Sequence, residues 1–134
     1  MQVTNVWKTV DANKDDPKAR GFMMVAIEDD LMLVLNFHEP GYKIEFHRHC
    51  DTTQSYLVLK GAITVRTKLS VDSPVQERRL AAGDCVMIHQ DEFYELENET
   101  AEPVVLYQAK RPAPLIQLLG GEPMDANKYF GVEA

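Results

Sequence analysis

Two histidines in one short segment are the first residues of this chain that could do chemistry. His47 and His49 occur in the segment GYKIEFHRHCDTTQSYLVLKG, residues 41–61. Because successive side chains of a strand point to opposite faces, a strand here would place both imidazoles on one face, about 7 Å apart. Imidazole nitrogens bind metals at about 2.0 to 2.2 Å, so the pair predicts two ligands of a single ion if the rings tilt inward. The alternative is an ordinary pair of core or surface histidines.

A second predicted strand follows after a short break and brings further polar groups to the same face. Gln54 opens this strand, and Tyr56 and Val58 share its side. The amide oxygen of Gln54 can complete a metal site, or the amide can hydrogen-bond His49 or another buried polar group. Tyr56 is a candidate catalytic residue because its side chain would face the same space.

Glu45 is a carboxylate close to the histidine pair in the sequence. It lies two residues before His47 and so would share its face. In a half-buried cavity, desolvation would raise the pKa of this carboxyl group and suit it to act as a general base near neutral pH. The alternative is an ion pair with Lys43 or Arg48 at the rim.

Two motifs in this order resemble those of the cupin superfamily. The first has the spacing of Gly41, His47, His49, Gln54 and Gly61. The second has the spacing of Gly83, His89, Asp91, Tyr94 and Asn98. Three positions depart from the family pattern, because Gln54 replaces a glutamate, His89 a proline and Tyr94 the last metal-binding histidine. The resemblance covers the chain from about residue 31 to residue 112.

The resemblance implies a divalent metal site formed by His47, His49, Gln54 and Tyr94, with Zn, Fe, Ni or Mn as the ion. Tyr94 is the weakest of these ligands by its chemistry, because a phenol with a pKa near 10 is a poor ligand until a cation lowers that pKa. It could instead donate a proton, orient the substrate or simply pack in the barrel. Glu45, Tyr94 and Tyr56 are the candidate catalytic residues.

Two other histidines have less specific positions. His89 lies where the family has a rigid proline, which places it near the barrel mouth, and an exposed loop histidine is the favoured interpretation. His38 ends a predicted strand before Glu39, Pro40 and Gly41, and we interpret it as structural.

The elements that must position these residues are short strands. Apolar runs and period-2 alternation separated by turn residues predict an all-β fold, and with the resemblance a double-stranded β-helix, the jelly roll of a cupin barrel. We expect one domain over residues 1–134, with the barrel core at about 21–112. An N-terminal strand at 3–10 and the C-terminal tail, including a helical turn at 115–119, would pack outside.

Composition limits the partners of this chain. The net charge of −7 and the isoelectric point near 5.0 argue against a nucleic-acid partner. The sequence has no apolar stretch of about 20 residues and no secretory signal pattern, so we expect a cytoplasmic protein without a membrane partner. Cys50 and Cys85 are then expected to stay reduced. A homodimer would cover exposed strand edges, with Val6, Trp7, Val10 and an outward-facing Phe93 as candidates for the contact.

Neutral ligands decide which chemistry is expected. Two imidazoles and an amide leave the full charge of a divalent ion, which favours Lewis-acid chemistry. We therefore expect an enzyme that acts on a small oxygen-rich organic substrate as an isomerase, dehydratase, cyclase or lyase. The alternatives are a small-molecule-binding module without turnover, and an iron-dependent dioxygenase if Glu45 supplies the anionic ligand.

Overall fold

The structure is a computed structural model, and it describes residues 1–13, 21–112 and 115–129. Within these ranges the chain forms two short helices and a series of antiparallel strands. The elements are α1 (Val6–Asn13), β1 (Gly21–Glu28), β2 (Leu31–His38), β3 (Lys43–His49), β4 (Gln54–Lys60), β5 (Ala62–Lys68), β6 (Gln76–Ala81), β7 (Cys85–Ile88), β8 (Phe93–Glu97), β9 (Val104–Lys110), β10 (Leu115–Leu118), β11 (Pro123–Asp125) and α2 (Ala126–Tyr129).

The strands form two antiparallel sheets. The first sheet has the order β1-β2-β9-β4-β7, and the second has the order β11-β10-β3-β8-β5-β6. The all-β jelly-roll prediction is confirmed, in a form where both sheets stay open and face each other instead of closing into one ring. A core of apolar side chains from both sheets fills the space between them: Tyr56, Val58, Ile63, Val65, Ile88, Tyr94, Leu96, Val104 and Leu106.

Alternation along the strands places the polar residues of interest on the inner faces. In β4, Gln54, Tyr56 and Val58 are buried while the residues between them are partly exposed. In β9, Gln108 continues the row of buried inner-face residues. Period-2 alternation is what a sheet with one buried face requires, so the predicted facing of β4 is confirmed.

The N-terminal segment is a helix, so the predicted strand at 3–10 is wrong. The backbone N–H of Lys8 donates to the Asn5 side-chain oxygen at 3.0 Å, which makes Asn5 an N-cap and provides a partner for an N–H of the first turn. Trp7 is 51% exposed on this helix. The sequence signal that could have predicted the helix was this asparagine before Val6.

The predicted helical turn at 115–119 is also wrong, because β10 is a strand. It pairs with β3, where Ile116 lies opposite His49 and Leu118 opposite His47. The other edge of β3 pairs with β8, so β10 covers an edge that would otherwise expose unpaired backbone groups beside the histidines. Ile116 is fully buried. Residues 130–134 of the predicted tail lie outside the described residues.

Three further expectations can be compared with the structure. Cys50 and Cys85 are not joined by a disulfide. Phe93 is only 9% exposed and packs under the guanidinium of Arg48, so the expectation that it points outward is wrong. Neither helix within the described ranges is long and apolar enough to cross a membrane.

Candidate functional site

Strand β3 places both predicted histidines on the inner face of the second sheet. His47 and His49 are 1% and 5% exposed, and their ring centroids are 5.3 Å apart with the ring planes at 79°. Each side chain therefore faces the space between the sheets, as the alternation predicted. The sequence prediction that the two imidazoles converge is consistent with this geometry.

The backbone fixes the orientation of the His47 ring. Its Nδ1 lies 2.7 Å from the backbone oxygen of Glu45. A carbonyl oxygen can only accept, so Nδ1 carries the hydrogen, and in the neutral ring Nε2 holds the lone pair. Metal-binding histidines commonly hold their second ring nitrogen in this way, which fixes both the tautomer and the ring plane.

Burial keeps both imidazoles neutral. Desolvation is the main cause that lowers the pKa of His47 to about 4, with the charge of Lys110 adding to it. Desolvation, followed by the charges of Lys110 and His47, lowers the pKa of His49 to about 2. Both rings are therefore unprotonated at neutral pH, which is the state that metal ligation requires.

Two phenols lie beside the histidines. Tyr94 on β8 pairs with His47 across the strands, with ring centroids 4.3 Å apart. Its hydroxyl lies 2.8 Å from the hydroxyl of Tyr56, and both side chains are buried. Desolvation raises the pKa of both phenols, and in Tyr56 the neighbouring Tyr94 adds to the shift. Both phenols are therefore protonated at neutral pH and can donate hydrogen bonds.

A chain of buried amides runs from the two phenols across strands β4, β9 and β2 of the first sheet. Asn36 Nδ2 donates to Gln108 Oε1 at 3.1 Å, and Gln108 Nε2 donates to Gln54 Oε1. Gln54 in turn hydrogen-bonds Tyr94 and so lowers the pKa of that phenol, against the larger effect of burial. We call Asn36, Gln108 and Gln54 the amide chain. One lone pair of the Gln54 oxygen is thus already used by Gln108.

Asn36 and Gln108 are site residues that were not expected from the sequence. Asn36 lies between Val34 and His38 in the inner-face row of β2, Gln108 lies between Leu106 and Lys110 in that of β9, and each is buried. A buried polar residue is informative because it must find a partner. A polar residue in the predicted inner-face row was therefore the sequence signal that could have identified Asn36 and Gln108.

Lys110 was also missed. It ends β9, opposite Gln54 on the neighbouring β4. Burial lowers the pKa of its ammonium to about 8, and its charge in turn lowers the pKa values of both site histidines. A positive side chain therefore lies within electrostatic reach of the predicted ligands.

Glu45 does not enter this site, so its expected half-buried position is wrong. Its side chain is exposed, and the Tyr129 hydroxyl donates to its carboxylate at 2.9 Å. The register between β3 and β8 shifts by one residue between Ile44 and His47, a β-bulge that separates Glu45 from the inner row. The carboxylate instead lines an open groove of about 610 Å³ with Tyr42, Lys43, Ile44 and Tyr129.

The alternative ion pairs for Glu45 are not formed either. Lys43 binds Glu95 at 2.9 Å, and Arg48 donates to the side chain of Gln117 at 2.9 Å. Glu45 is therefore placed neither as a buried base nor as the partner of a neighbouring cation.

The remaining two histidines lie apart from the site. His38 is 1% exposed and meets the Tyr42 ring edge-on, with centroids 4.9 Å apart. Neither of its ring nitrogens has a hydrogen-bond partner within the described ranges, and desolvation lowers its pKa to about 4. His89 is exposed in the turn before β8. These positions agree with a structural role for His38 and with an exposed loop position for His89.

The residues fit a metal ion through their chemistry and spacing, although the ligand set is small. A metal about 2.1 Å from a ring nitrogen lies about 3.2 Å from the ring centroid, so two ligands of a tetrahedral ion have centroids about 5.2 Å apart. The distance between His47 and His49 is 5.3 Å. In the part of the chain that the structure describes, no three His, Cys, Asp or Glu side chains could hold an ion together. Further ligands would have to be Gln54, Tyr94 or solvent.

Comparison with known proteins finds similarity only at the level of structure. No protein-family model and no curated protein matches the sequence. A Bacillus halodurans protein superposes with a TM-score of 0.73 at 17% identity, covering 98% of this chain and 94% of that one.

Two further structures carry descriptive names. An uncharacterized conserved protein with a double-stranded beta-helix domain from Klebsiella pneumoniae has a TM-score of 0.62 at 18% identity, covering 84% of this chain and 91% of that one. The cupin domain of Cnp3 from Schizosaccharomyces pombe has a TM-score of 0.60 at 16% identity, covering 67% of this chain and 59% of that one. Identities this low bear on the fold alone. The chain has the double-stranded β-helix fold that these structures share.

Proposed function

We propose that this protein is a metal-dependent enzyme that acts on a small oxygen-rich organic substrate between the two sheets. His47 and His49 would hold a divalent ion such as Zn, Fe, Ni or Mn, with Gln54 as a weaker oxygen ligand. The observation that carries the proposal is the pair of buried neutral imidazoles, one of them fixed through Nδ1 to the Glu45 carbonyl. Histidines that bind a metal commonly have the other ring nitrogen fixed by a backbone carbonyl in this way.

The bound ion would supply Lewis-acid polarisation of a substrate oxygen. The chain itself supplies proton donors, because the phenols of Tyr56 and Tyr94 stay protonated and share one hydrogen bond. A donor of this kind can stabilise negative charge that develops on a substrate oxygen. We therefore assign Tyr94 the role of donor in preference to ligand, with Tyr56 orienting its hydroxyl.

The amide chain would position Gln54. Because Gln108 donates to the Gln54 oxygen, the Gln54 –NH2 group is directed to the Tyr94 hydroxyl. This arrangement fixes the phenol and excludes rotation of the amide. Reactions that need a polarised oxygen and a positioned proton include isomerisation, dehydration, cyclisation and elimination, so the enzyme would belong to one of these classes.

Metal content tests the proposal directly. Protein is purified without chelator, incubated with Zn²⁺, Ni²⁺, Fe²⁺ or Mn²⁺, passed through a desalting column and analysed by mass spectrometry. We expect close to one ion per chain in the wild type, and a large loss in His47→Ala, His49→Ala and the double variant. His89→Ala removes an exposed imidazole and is the matched control. Equal metal content in the wild type and the double variant would refute the proposed site.

A binding module without turnover is the second candidate, and one observation favours it. Gln54 already accepts a hydrogen bond from Gln108, and the positive charge of Lys110 acts on the histidines. Each of these two interactions lowers the affinity of the site for a metal ion. Persistent metal-free protein that binds small molecules would support this candidate. No observation favours the dioxygenase, since its anionic ligand was to be Glu45, which lies outside the site.

We also propose that the chain is a single domain that forms a homodimer. The edge strand β1 exposes Met24 and Ile27, at 40% and 51%, and the N-terminal helix exposes Trp7. Apolar side chains along an unpaired strand edge are commonly covered by a second copy. Light scattering at tens of micromolar tests this, and a monomer would exclude it.

A further inference from the structure

Lys110 is a cation that the fold places at the candidate site, and the proposed function gives it no task. It continues the inner-face row of β9 formed by Val104, Leu106 and Gln108, all of them buried. Its Cα partner on β4 is Gln54, a member of the amide chain. The side chain of Lys110 is only partly exposed.

Among the residues that the structure describes, no group of opposite charge pairs with this lysine. Within the described residues it makes no hydrogen bond and no ion pair, whereas Lys43 binds Glu95 at 2.9 Å and Lys68 donates to the Val71 carbonyl at 2.9 Å. An ammonium that is removed from water without a partner costs several kcal/mol as an order of magnitude. A site that keeps such a group therefore has a function for it or a ligand that compensates it.

The surroundings favour an anion. The neighbouring imidazoles of His47 and His49 are neutral, and the phenols of Tyr56 and Tyr94 can donate hydrogen bonds. The carboxylate of Glu45 lies outside this site against Tyr129. The site thus combines one positive charge with two phenol hydroxyls.

We propose that Lys110 binds the carboxylate of a small carboxylic acid, which makes the substrate anionic and places its charged end at the β9 edge of the site. This inference deepens the proposed function, on which it rests for the reacting end of the molecule. A carboxylate fits better than a phosphate, because phosphate sites usually combine several backbone N–H groups with arginine, and the single lysine balances one charge.

The variant Lys110→Met tests the inference because it keeps the length of the side chain and removes the charge. Lys60→Met removes an exposed lysine of β4 and is the matched control. Binding of lactate, malate and citrate is measured by calorimetry and thermal shift, from micromolar to tens of millimolar at constant ionic strength. Lactamide, the neutral analogue of lactate, and inorganic phosphate complete the set of probes.

We expect at least one of the three carboxylates to bind wild type and Lys60→Met alike, and to bind Lys110→Met at least tenfold more weakly. Lys110→Arg should recover most of the affinity, since a guanidinium also pairs with carboxylates. Without ligand, Lys110→Met should melt at a higher temperature than wild type, because the uncompensated charge is gone. Lactamide should bind all variants equally weakly.

The experiment is run on chelator-treated protein and repeated after metal loading, which separates the two proposals. Loss of carboxylate binding in Lys110→Met with metal content unchanged supports the inference. Carboxylate binding that depends on Lys110 in a protein that takes up no metal also supports it, while the metal proposal fails. Equal binding by wild type and Lys110→Met would overturn the inference, as would the absence of binding by every carboxylate. Tighter binding of phosphate than of any carboxylate would overturn the assigned ligand class.

Discussion

Acidification should destabilise this protein well before its carboxylates are protonated, because three buried histidines must become charged in the unfolded chain. His38, His47 and His49 have folded-state pKa values of about 4, about 4 and about 2, against an ordinary value of 6.5. Desolvation is the main cause in each case. A lowered folded-state pKa means that the unfolded chain binds more protons between the two values, so stability is complete above about pH 6.5 and falls as the pH decreases.

The magnitude follows from the difference in proton binding. A histidine with a pKa of 6.5 unfolded and about 4 folded loses about 2 kcal/mol of stability between pH 7 and pH 5. The three together would lose about 6 kcal/mol, which is comparable with the whole stability of a small domain, about 5 to 15 kcal/mol. Chelator-treated protein should therefore be close to unfolding at pH 5.

His38→Leu removes one of the three histidines, and with it about one third of the expected loss of stability between pH 7 and pH 5. The ring of His38 lacks a hydrogen-bond partner within the described ranges, so an apolar side chain of similar size should be tolerated at pH 7. We expect its loss of stability between pH 7 and pH 5 to be smaller than that of wild type by about 2 kcal/mol. His89→Ala, which removes an exposed imidazole, should keep the wild-type dependence.

Urea denaturation followed by circular dichroism at pH 7, 6 and 5 measures these differences, with a chelator present so that metal binding does not add its own pH dependence. A wild-type stability that is constant between pH 7 and pH 5 would refute the reasoning. A pH dependence of His38→Leu equal to that of wild type would refute the part assigned to His38.

Two further predictions concern the site, and a third concerns the turn at Gly61. Tyr94→Phe should keep its metal content. Its free energy of unfolding should fall by about 1 to 3 kcal/mol, because the Tyr56 hydroxyl loses its partner. Loss of the metal in this variant would instead make Tyr94 a ligand. Gln108→Leu breaks both hydrogen bonds of the amide chain and should cost about 2 to 4 kcal/mol by urea denaturation, and a cost below about 0.5 kcal/mol would contradict the buried network. Gly61 and Gly83 both have positive φ, but only at Gly61 would a Cβ lie within 2.8 Å of a backbone oxygen, so Gly61→Ala should destabilise at least twice as much as Gly83→Ala, which should cost about 1 kcal/mol. Equal costs would refute the contact.

Several features were predictable because they depend on local spacing. The turn glycines and the alternation around His47, His49 and Gln54 predicted two consecutive strands whose side chains face one space. The structure has β3 and β4 there, in opposite sheets with these side chains on the inner faces. Side-chain direction in a strand repeats every two residues, so it follows from the sequence wherever no residue is inserted. The same rule misplaced Glu45, since the bulge before His47 adds one residue to β3.

Other features depend on which distant strands become neighbours. Gln108 and Lys110 meet Gln54 only because β9 pairs with β4, more than 40 residues away in the chain. The strand β10 exists because β3 offers an open edge, although its four residues are too short to show a period by themselves. Local pattern therefore determined which face each ligand candidate occupies. Only the tertiary structure decided its partners, because burial and strand pairing are properties of the assembled sheets.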